Sequence, residues 1–276
     1  MFSFYLRIII LCLIIITLAR PQKVNVQQEV LSKGIDIMLV LDTSRSMAAE
    51  DFKPDNRLAV AKRTIQEFIQ MRTTDRIGLI VFGSESFTQC PLTTDYDILT
   101  NLFDDIELAM VGDGTAIGTA LINGLNRLRY SESKSKIIIL LTDGENNSGE
   151  IDPIRASELA KDLDIKVYTI GVGKEGGAPV PYNHPIYGKV YSNTVTYLDE
   201  DTLIKIARNT NGFYFRAKDA ESLKNIYNKI DQLEKTELKT KKHVEYTDLF
   251  PPLIFIILFL LLAELFVFNM LLLVSP

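Results

Sequence analysis

The chain of 276 residues is 47% hydrophobic and 24% charged, enough for one substantial globular domain with apolar segments besides. A net charge of -5 with no long basic block excludes the electrostatic footprint of a nucleic-acid binder, so no nucleic-acid partner is expected. Two cysteines, Cys12 and Cys90, outside any CxxC pattern exclude a disulfide framework, and two histidines, His184 and His243, leave a Ser-His or Cys-His catalytic pair almost without candidates.

In chain order the first feature is an apolar run at 8–19, after Arg7 and before Arg20-Pro21. It fits either a signal-like segment ending at Thr17-Leu18-Ala19 or a short span extended by 2–6. Residues 35–41 are apolar apart from Asp36, the pattern of a strand buried on both faces. Residues 57–69 place Leu58, Ala61, Ile65 and Phe68 on one helical face. A strand is predicted at 76–82, an edge strand at 85–92 with Pro91 near its end, and a helix at 96–106. The amphipathic stretch 116–128 is a helix for which Thr115 offers a cap. A buried strand at 136–141 runs into Thr142-Asp143-Gly144, and a helix with proline in its first turn follows at 153–163. A strand at 165–170, a helix at 198–209, a short strand at 213–216 and a helix at 219–233 complete the alternation. Residues 173–196, rich in Gly, Pro, Tyr and Asn, interrupt it as an excursion or hairpin. The last feature is an apolar run at 253–274, and about 20 apolar residues suffice for a transmembrane helix. Glu264 near its middle is either a tolerated polar residue or a partner for another helix in the bilayer.

The fold class is therefore α/β: a doubly wound, mostly parallel sheet with helices on both faces, flanked by terminal membrane segments. The partition is 1–22 for the N-terminal membrane or signal-like segment, 30–234 for the domain, 235–250 for a juxtamembrane linker and 251–274 for the C-terminal transmembrane helix.

In open α/β sheets, ligands bind beyond the carboxyl ends of the strands where strand order reverses. Asp42, Ser44 and Ser46 follow one apolar strand, Asp143 follows another, and Thr115 sits in the loop V-G-D-G-T between them. All are oxygen donors, which suits a hard divalent cation, Mg²⁺ first, with Mn²⁺ or Ca²⁺ as alternatives. Two carboxylates and three hydroxyls are too few charges for a closed cage, so one coordination position is expected to stay open to a carboxylate from elsewhere. Singly each residue has a duller reading, as a turn aspartate, a helix cap or a loop hydroxyl. Their joint placement at the same ends of the right elements is what argues for a site.

The segment D-T-S-R-S at 42–46 resembles the DxSxS core of the metal-ion-dependent adhesion site of von Willebrand factor A (VWA) domains. By that resemblance the family's threonine is Thr115 in G-T-A-I-G and its second aspartate Asp143 in L-L-T-D-G-E-N-N. Further segments, L-A-R-P-Q, S-R-S-M-A-A-E-D-F, N-R-L, D-R-I-G-L-I-V-F, P-L-T-T-D, D-G-T-A-I-G and Y-T-I-G-V-G, resemble BatA-type membrane proteins of aerotolerance operons. The resemblance implies Mg²⁺ and a protein partner at the site, with other Bat proteins and a MoxR-type AAA+ ATPase as associates. Members often begin with a further apolar span and end in a basic tail; this sequence starts at what corresponds to the second span and ends V-S-P.

Three functions compete. The leading one is a membrane-tethered binding module, not an enzyme, that uses the metal to grip an acidic side chain of a partner. A Mg²⁺-dependent phosphoryl-transfer or hydrolytic enzyme needs a phosphate cradle such as G-x-x-x-x-G-K-[ST], or a nucleophile with a base, and the sequence has neither. Arg45 is better read as solvated or salt-bridged than as a phosphate ligand. The third is a structural subunit with an idle metal site. The location expected is the bacterial inner membrane with the domain on the periplasmic side, on the signal-like terminus and the resemblance, although Arg20, Lys23, Lys235, Lys239, Lys241 and Lys242 flank the spans on the domain side.

Overall fold

The computed structural model describes residues 2–25, 34–174, 178–184, 187–194, 198–240, 245–248 and 250–274. From the N-terminus come helix α1 (Phe2–Leu18), strand β1 (Gln22–Asn25), strand β2 (Asp36–Asp42), a 3-10 turn (Arg45–Ala48) and helix α2 (Arg57–Gln70). Strands β3 (Arg76–Phe82) and β4 (Ser86–Thr93) lead to helices α3 (Tyr96–Asp104) and α4 (Ile117–Leu128). Next are β5 (Lys136–Thr142), α5 (Pro153–Asp162), β6 (Lys166–Val172), β7 (Ala178–His184) and β8 (Gly188–Thr194). Then follow α6 (Glu200–Asn209), β9 (Tyr214–Ala217), α7 (Ala220–Thr240), β10 (Glu245–Asp248) and α8 (Phe250–Val274). The chain divides into two units, Ser32–Leu238 and Met1–Leu31 with Lys239–Pro276.

In the larger unit six strands form one sheet in the order β4-β3-β2-β5-β6-β9. All neighbours are parallel except β3 and β4. The apolar runs explain the centre: every residue of β2 is buried, because parallel strands between two helical layers meet side chains on both faces. Successive residues alternate between the two cores. Ile37, Leu39 and Leu41 join Ile65, Phe68, Phe103 and Tyr227 on the α2, α3 and α7 side. Met38 and Val40 join Leu121, Leu125, Ala156 and Ile206 on the α4, α5 and α6 side. Each such apolar side chain contributes about 1.5–3 kcal/mol by leaving water. Cys90 is a buried hydrophobe of this core, its thiol pushed up by burial and by the charge of Asp95.

The chain leaves β2 for β3 and β4 on one side, then returns to β5, β6 and β9 on the other. Strand order thus reverses beside β2, and a crevice opens past the carboxyl ends of β2 and β5. Local chemistry sets the helix starts: Asn56, Asp95, Asp152 and Asp199 each accept a backbone N–H in the first turn of α2, α3, α5 and α6. The start of α4 differs from the sequence expectation. Thr115 does not cap it; Ala116 holds the cap position, and Asn146 Oδ1 accepts from Ile117 N at 2.8 Å. A second departure is α7, which runs to Thr240, past the boundary expected at 234. Its buried Glu234 accepts from Tyr168 Oη at 2.5 Å and Ser135 Oγ at 2.6 Å and pairs with Lys166 at 3.1 Å, which ties α7 to the starts of β5 and β6. The excursion after β6 is an antiparallel hairpin, β7 with β8.

In the smaller unit α1 packs on α8, and β1 pairs antiparallel with β10 inside the stretch expected to be linker. Arg7 Nε lies 2.5 Å from Glu264 Oε1, and the Arg20 guanidinium stands over the Phe250 ring at 5.7 Å. Glu264 therefore has its helix partner within this chain. Among the described residues no helix is long and apolar enough to cross a membrane. The side chains of α8 are described as far as Phe266.

Candidate metal centre

Parallel register brings the site together. Leu41 stands opposite Leu141, so Asp42 at the end of β2 and Thr142 at the end of β5 lie side by side. Thr142 Oγ1 donates to Asp42 Oδ2 at 2.6 Å, and Ser44 N donates to Asp42 Oδ1 at 2.9 Å, closing a tight turn directly after the strand. Thr43 is pinned to the neighbouring strand, with its N–H and Oγ1 both donating to Phe82 O. The 3-10 turn then carries Ser46 back over the strand end. Ser44 Oγ and Ser46 Oγ are 2.9 Å apart, and Ser46 Oγ donates to Asp143 Oδ1 at 2.5 Å. Asp42, Ser44 and Asp143 are buried, Ser46 partly so.

Thr115 approaches from the loop before α4. Its N–H donates to Asn147 Oδ1 at 2.9 Å, and its carbonyl accepts from Asn147 N. Its hydroxyl faces Gly144, the residue after Asp143: a Cβ on that glycine would sit 3.4 Å from Thr115 Oγ1. The structure therefore joins Asp42, Ser44, Ser46 and Asp143 by hydrogen bonds and sets Thr115 against the Asp143–Gly144 turn. Among the described residues no three His, Cys, Asp or Glu side chains converge as a metal cage. Any cation held here would have to lean on hydroxyls as well as on two carboxylates.

Three participants carry no signal of this role in the sequence: Thr142, Arg57 and Asp51, the first at the end of an apolar strand, the second at the start of a helix and the third in the loop before that helix. Arg57 is among the most deeply buried side chains, 1% exposed. Its Nη1 donates to Asp143 Oδ2 at 2.8 Å, while Nε and Nη2 form a fork on Asp51 Oδ1 and Oδ2 at 2.8 and 2.7 Å. Gly173, with φ +132°, forms part of its wall: a Cβ there would meet Arg57 Nη2 at 2.6 Å. Asp51 also accepts from Lys174 N, and its neighbour Glu50 accepts from Lys189 Nζ at 2.7 Å and Tyr191 Oη at 3.1 Å. The β7–β8 hairpin is thereby fastened to the loop that carries the site. Arg45 is salt-bridged to Asp113 at 3.0 Å on the exposed rim, as its position in the loop suggested.

The electrostatics are those of buried charge. Burial first, then the nearby charge of Asp143, pushes Asp42 up to about 7, against the hydrogen bonds from Ser44 and Thr142. Burial also raises Asp143, opposed by Arg57 and Ser46. For Arg57 burial acts to lower its pKa, but the hydrogen bond to Asp51 and the charge of Asp143 outweigh it, and the guanidinium stays charged. Burial acts to raise Asp51, and the Arg57 fork outweighs it and holds that carboxylate below its ordinary range. Of the two histidines, His184 has its side chain outside those described and His243 lies outside the described residues.

Residues 36–229 match the von Willebrand factor type A domain family. An uncharacterized protein of Borreliella burgdorferi is 32% identical over 256 residues, covering 92% of this chain and 74% of the relative. The crystal structure of BatB from Bacteroides thetaiotaomicron is similar with TM-score 0.62 and 31% identity over 73% of this chain and all of that one. An aerotolerance-related membrane protein from Bacteroides fragilis has the same TM-score and identity over 71% of this chain and 98% of its own. With the strand order and the family match over 36–229 both in place, the chain belongs to the von Willebrand factor type A domain family.

Proposed function

We propose that the domain holds a divalent cation, Mg²⁺ first, through Asp42, Ser44, Ser46, Thr115 and Asp143, and through it a carboxylate of a protein partner. The observation that carries this reading is the convergence of Ser44 Oγ, Ser46 Oγ and Asp143 Oδ1 within 2.9 and 2.5 Å links beside the buried carboxylate of Asp42. Burying two carboxylates this close is costly unless positive charge arrives. Arg57 supplies one such charge, already shared with Asp51. A bound cation supplies the rest, plus a coordination place for an outside acceptor. The chain's own work is to fix the oxygens: the Thr43 and Thr142 bonds set the strand ends, and the 3-10 turn aims the serines.

The role is binding rather than turnover. The partners by family are other Bat-type membrane proteins and a MoxR-type AAA+ ATPase, in a complex linked to stress tolerance. If so, capture of membrane partners by the full chain is lost, by tenfold or more, when a chelator is added, and an Asp42→Ala variant fails equally with Mg²⁺ present. Capture that survives both would reject the metal as the grip. Metal-dependent hydrolysis of a nucleotide or phosphoester, abolished in the same variant, would favour the enzyme reading instead.

The proposed setting is the bacterial inner membrane, with the domain (30–234) on the periplasmic side and 1–22 and 251–274 in the bilayer. Over its 25 residues α8 rises about 37 Å at 1.5 Å each, more than the roughly 30 Å of a bilayer core. The pairing of Arg7 with Glu264 supports α1 as a retained helix, since an ionisable group in lipid is stabilised by an opposite charge. The mature chain is expected to keep α1 by mass and to resist carbonate washing. Ile14 and Leu261 line one groove between the helices, so a disulfide between Ile14→Cys and Leu261→Cys reports their contact. Its yield should fall in Arg7→Glu or Glu264→Arg and recover when both are combined; no recovery would mean the ion pair does not hold α1.

A further inference from the structure

Arg57 has a consequence for which cation the site accepts. Its fork on Asp51 fixes the plane of the guanidinium, and its 1% exposure leaves no room to swing away, so Nη1 stays directed at Asp143 Oδ2. A cation approaching that oxygen would sit against a fixed positive charge in a poorly screened crevice. Asp143 is left with Oδ1, the atom already shared with Ser46. Asp42 is divided in the same way, one oxygen on Ser44 N and the other on Thr142 Oγ1.

We propose that Arg57 is a specificity-determining residue of the metal site: by occupying Asp143 Oδ2 it keeps that carboxylate monodentate and selects against Ca²⁺. The inference rests on the metal reading above. Ca²⁺ takes six to eight oxygens at about 2.3–2.6 Å and commonly draws both oxygens of a carboxylate. Mg²⁺ takes six at about 2.0–2.1 Å and tolerates single oxygens and water. One oxygen from each of Asp42 and Asp143 with the hydroxyls of Ser44, Ser46 and Thr115 gives five protein donors and one free place. That set suits the smaller ion. Residues that contact a ligand without touching the metal commonly tune affinity by 10–100-fold.

The test is calorimetric titration of the full chain in detergent with Mg²⁺ and, separately, Ca²⁺. Combining Arg57→Gln with Asp51→Asn frees Asp143 Oδ2 and removes the Asp51 charge along with its partner, leaving the cation as the counter-charge of Asp143. The ratio of the Ca²⁺ to the Mg²⁺ dissociation constant should fall at least tenfold in this variant, whereas Arg57→Lys, which keeps a cation beside Asp143, should hold it within about threefold of wild type. An unchanged ratio in the double variant overturns the inference and leaves the metal site standing; no binding of either ion by the wild type overturns the metal reading itself. Infrared spectra of the wild-type chain need no substitution: loading with Ca²⁺ should produce no carboxylate stretch of the bidentate type, and its appearance would overturn the role of Arg57 even if the double variant does not fold.

Discussion

Asp42→Asn is expected to abolish Mg²⁺ binding and, in metal-free buffer at pH 8, to raise the melting temperature of the domain. Both effects come from one carboxylate. Its pKa is pushed up to about 7 by burial and by Asp143, so the folded chain carries at pH 8 a charge that the unfolded chain, with an ordinary aspartate, carries more easily. Asparagine removes that charge and keeps an oxygen to accept from Ser44 N. A shift from 3.8 to about 7, with the Ser44 and Thr142 bonds already in it, corresponds to roughly 4 kcal/mol; the asparagine NH2 cannot accept from Thr142 Oγ1, and with that loss about 2 kcal/mol remains. For a domain of this size that is about 4–8 °C. Thermal melts followed by circular dichroism, with and without Mg²⁺, read both effects. A lower melting temperature in the metal-free variant would mean that Asp42 is held by its hydrogen bonds more than it is burdened by burial.

Metal affinity should fall about tenfold for each pH unit below about 7, because a proton must leave Asp42 before a cation enters. The sign follows from linkage. A carboxylate raised in the folded state holds more protons there than in the unfolded chain between 3.8 and about 7, so the metal-free protein loses stability as pH rises through that window. Metal offsets that loss wherever it binds, and more fully as pH rises. Calorimetry at pH 6 in two buffers of different ionisation enthalpy should count close to one proton released per ion bound, and melts of the metal-free chain should be higher at pH 5 than at pH 8. An affinity that is flat from pH 5 to pH 8 would place the titrating group elsewhere.

Sequence by itself determined the central sheet, because a strand covered on both faces must be apolar throughout, and β2, β3, β5 and β6 are such runs. It determined most helices, whose apolar faces repeat every three or four residues and whose starts carry their own caps, as at Asn56 and Asp152. It also placed Asp42, Ser44, Ser46, Thr115 and Asp143 at the ends of those elements, since each follows or precedes a run that the periodicity defines. What surrounds them was decided only by the tertiary structure. Arg57 meets Asp143 across 86 residues, and Thr142 meets Asp42 across 100, through strand order and register that no local period encodes. The same holds for Arg7 with Glu264, 257 residues apart, and for Glu234 of α7, whose partners stand at the start of β5 and in β6. Thr115 shows the other direction of the difference: its sequence context is that of a helix cap, yet Asn146, brought in from the loop after β5, takes the first N–H of α4. A side chain's local options are written in the chain, and competition among distant partners selects one of them, because a buried polar group settles wherever the whole fold satisfies its hydrogen bonds.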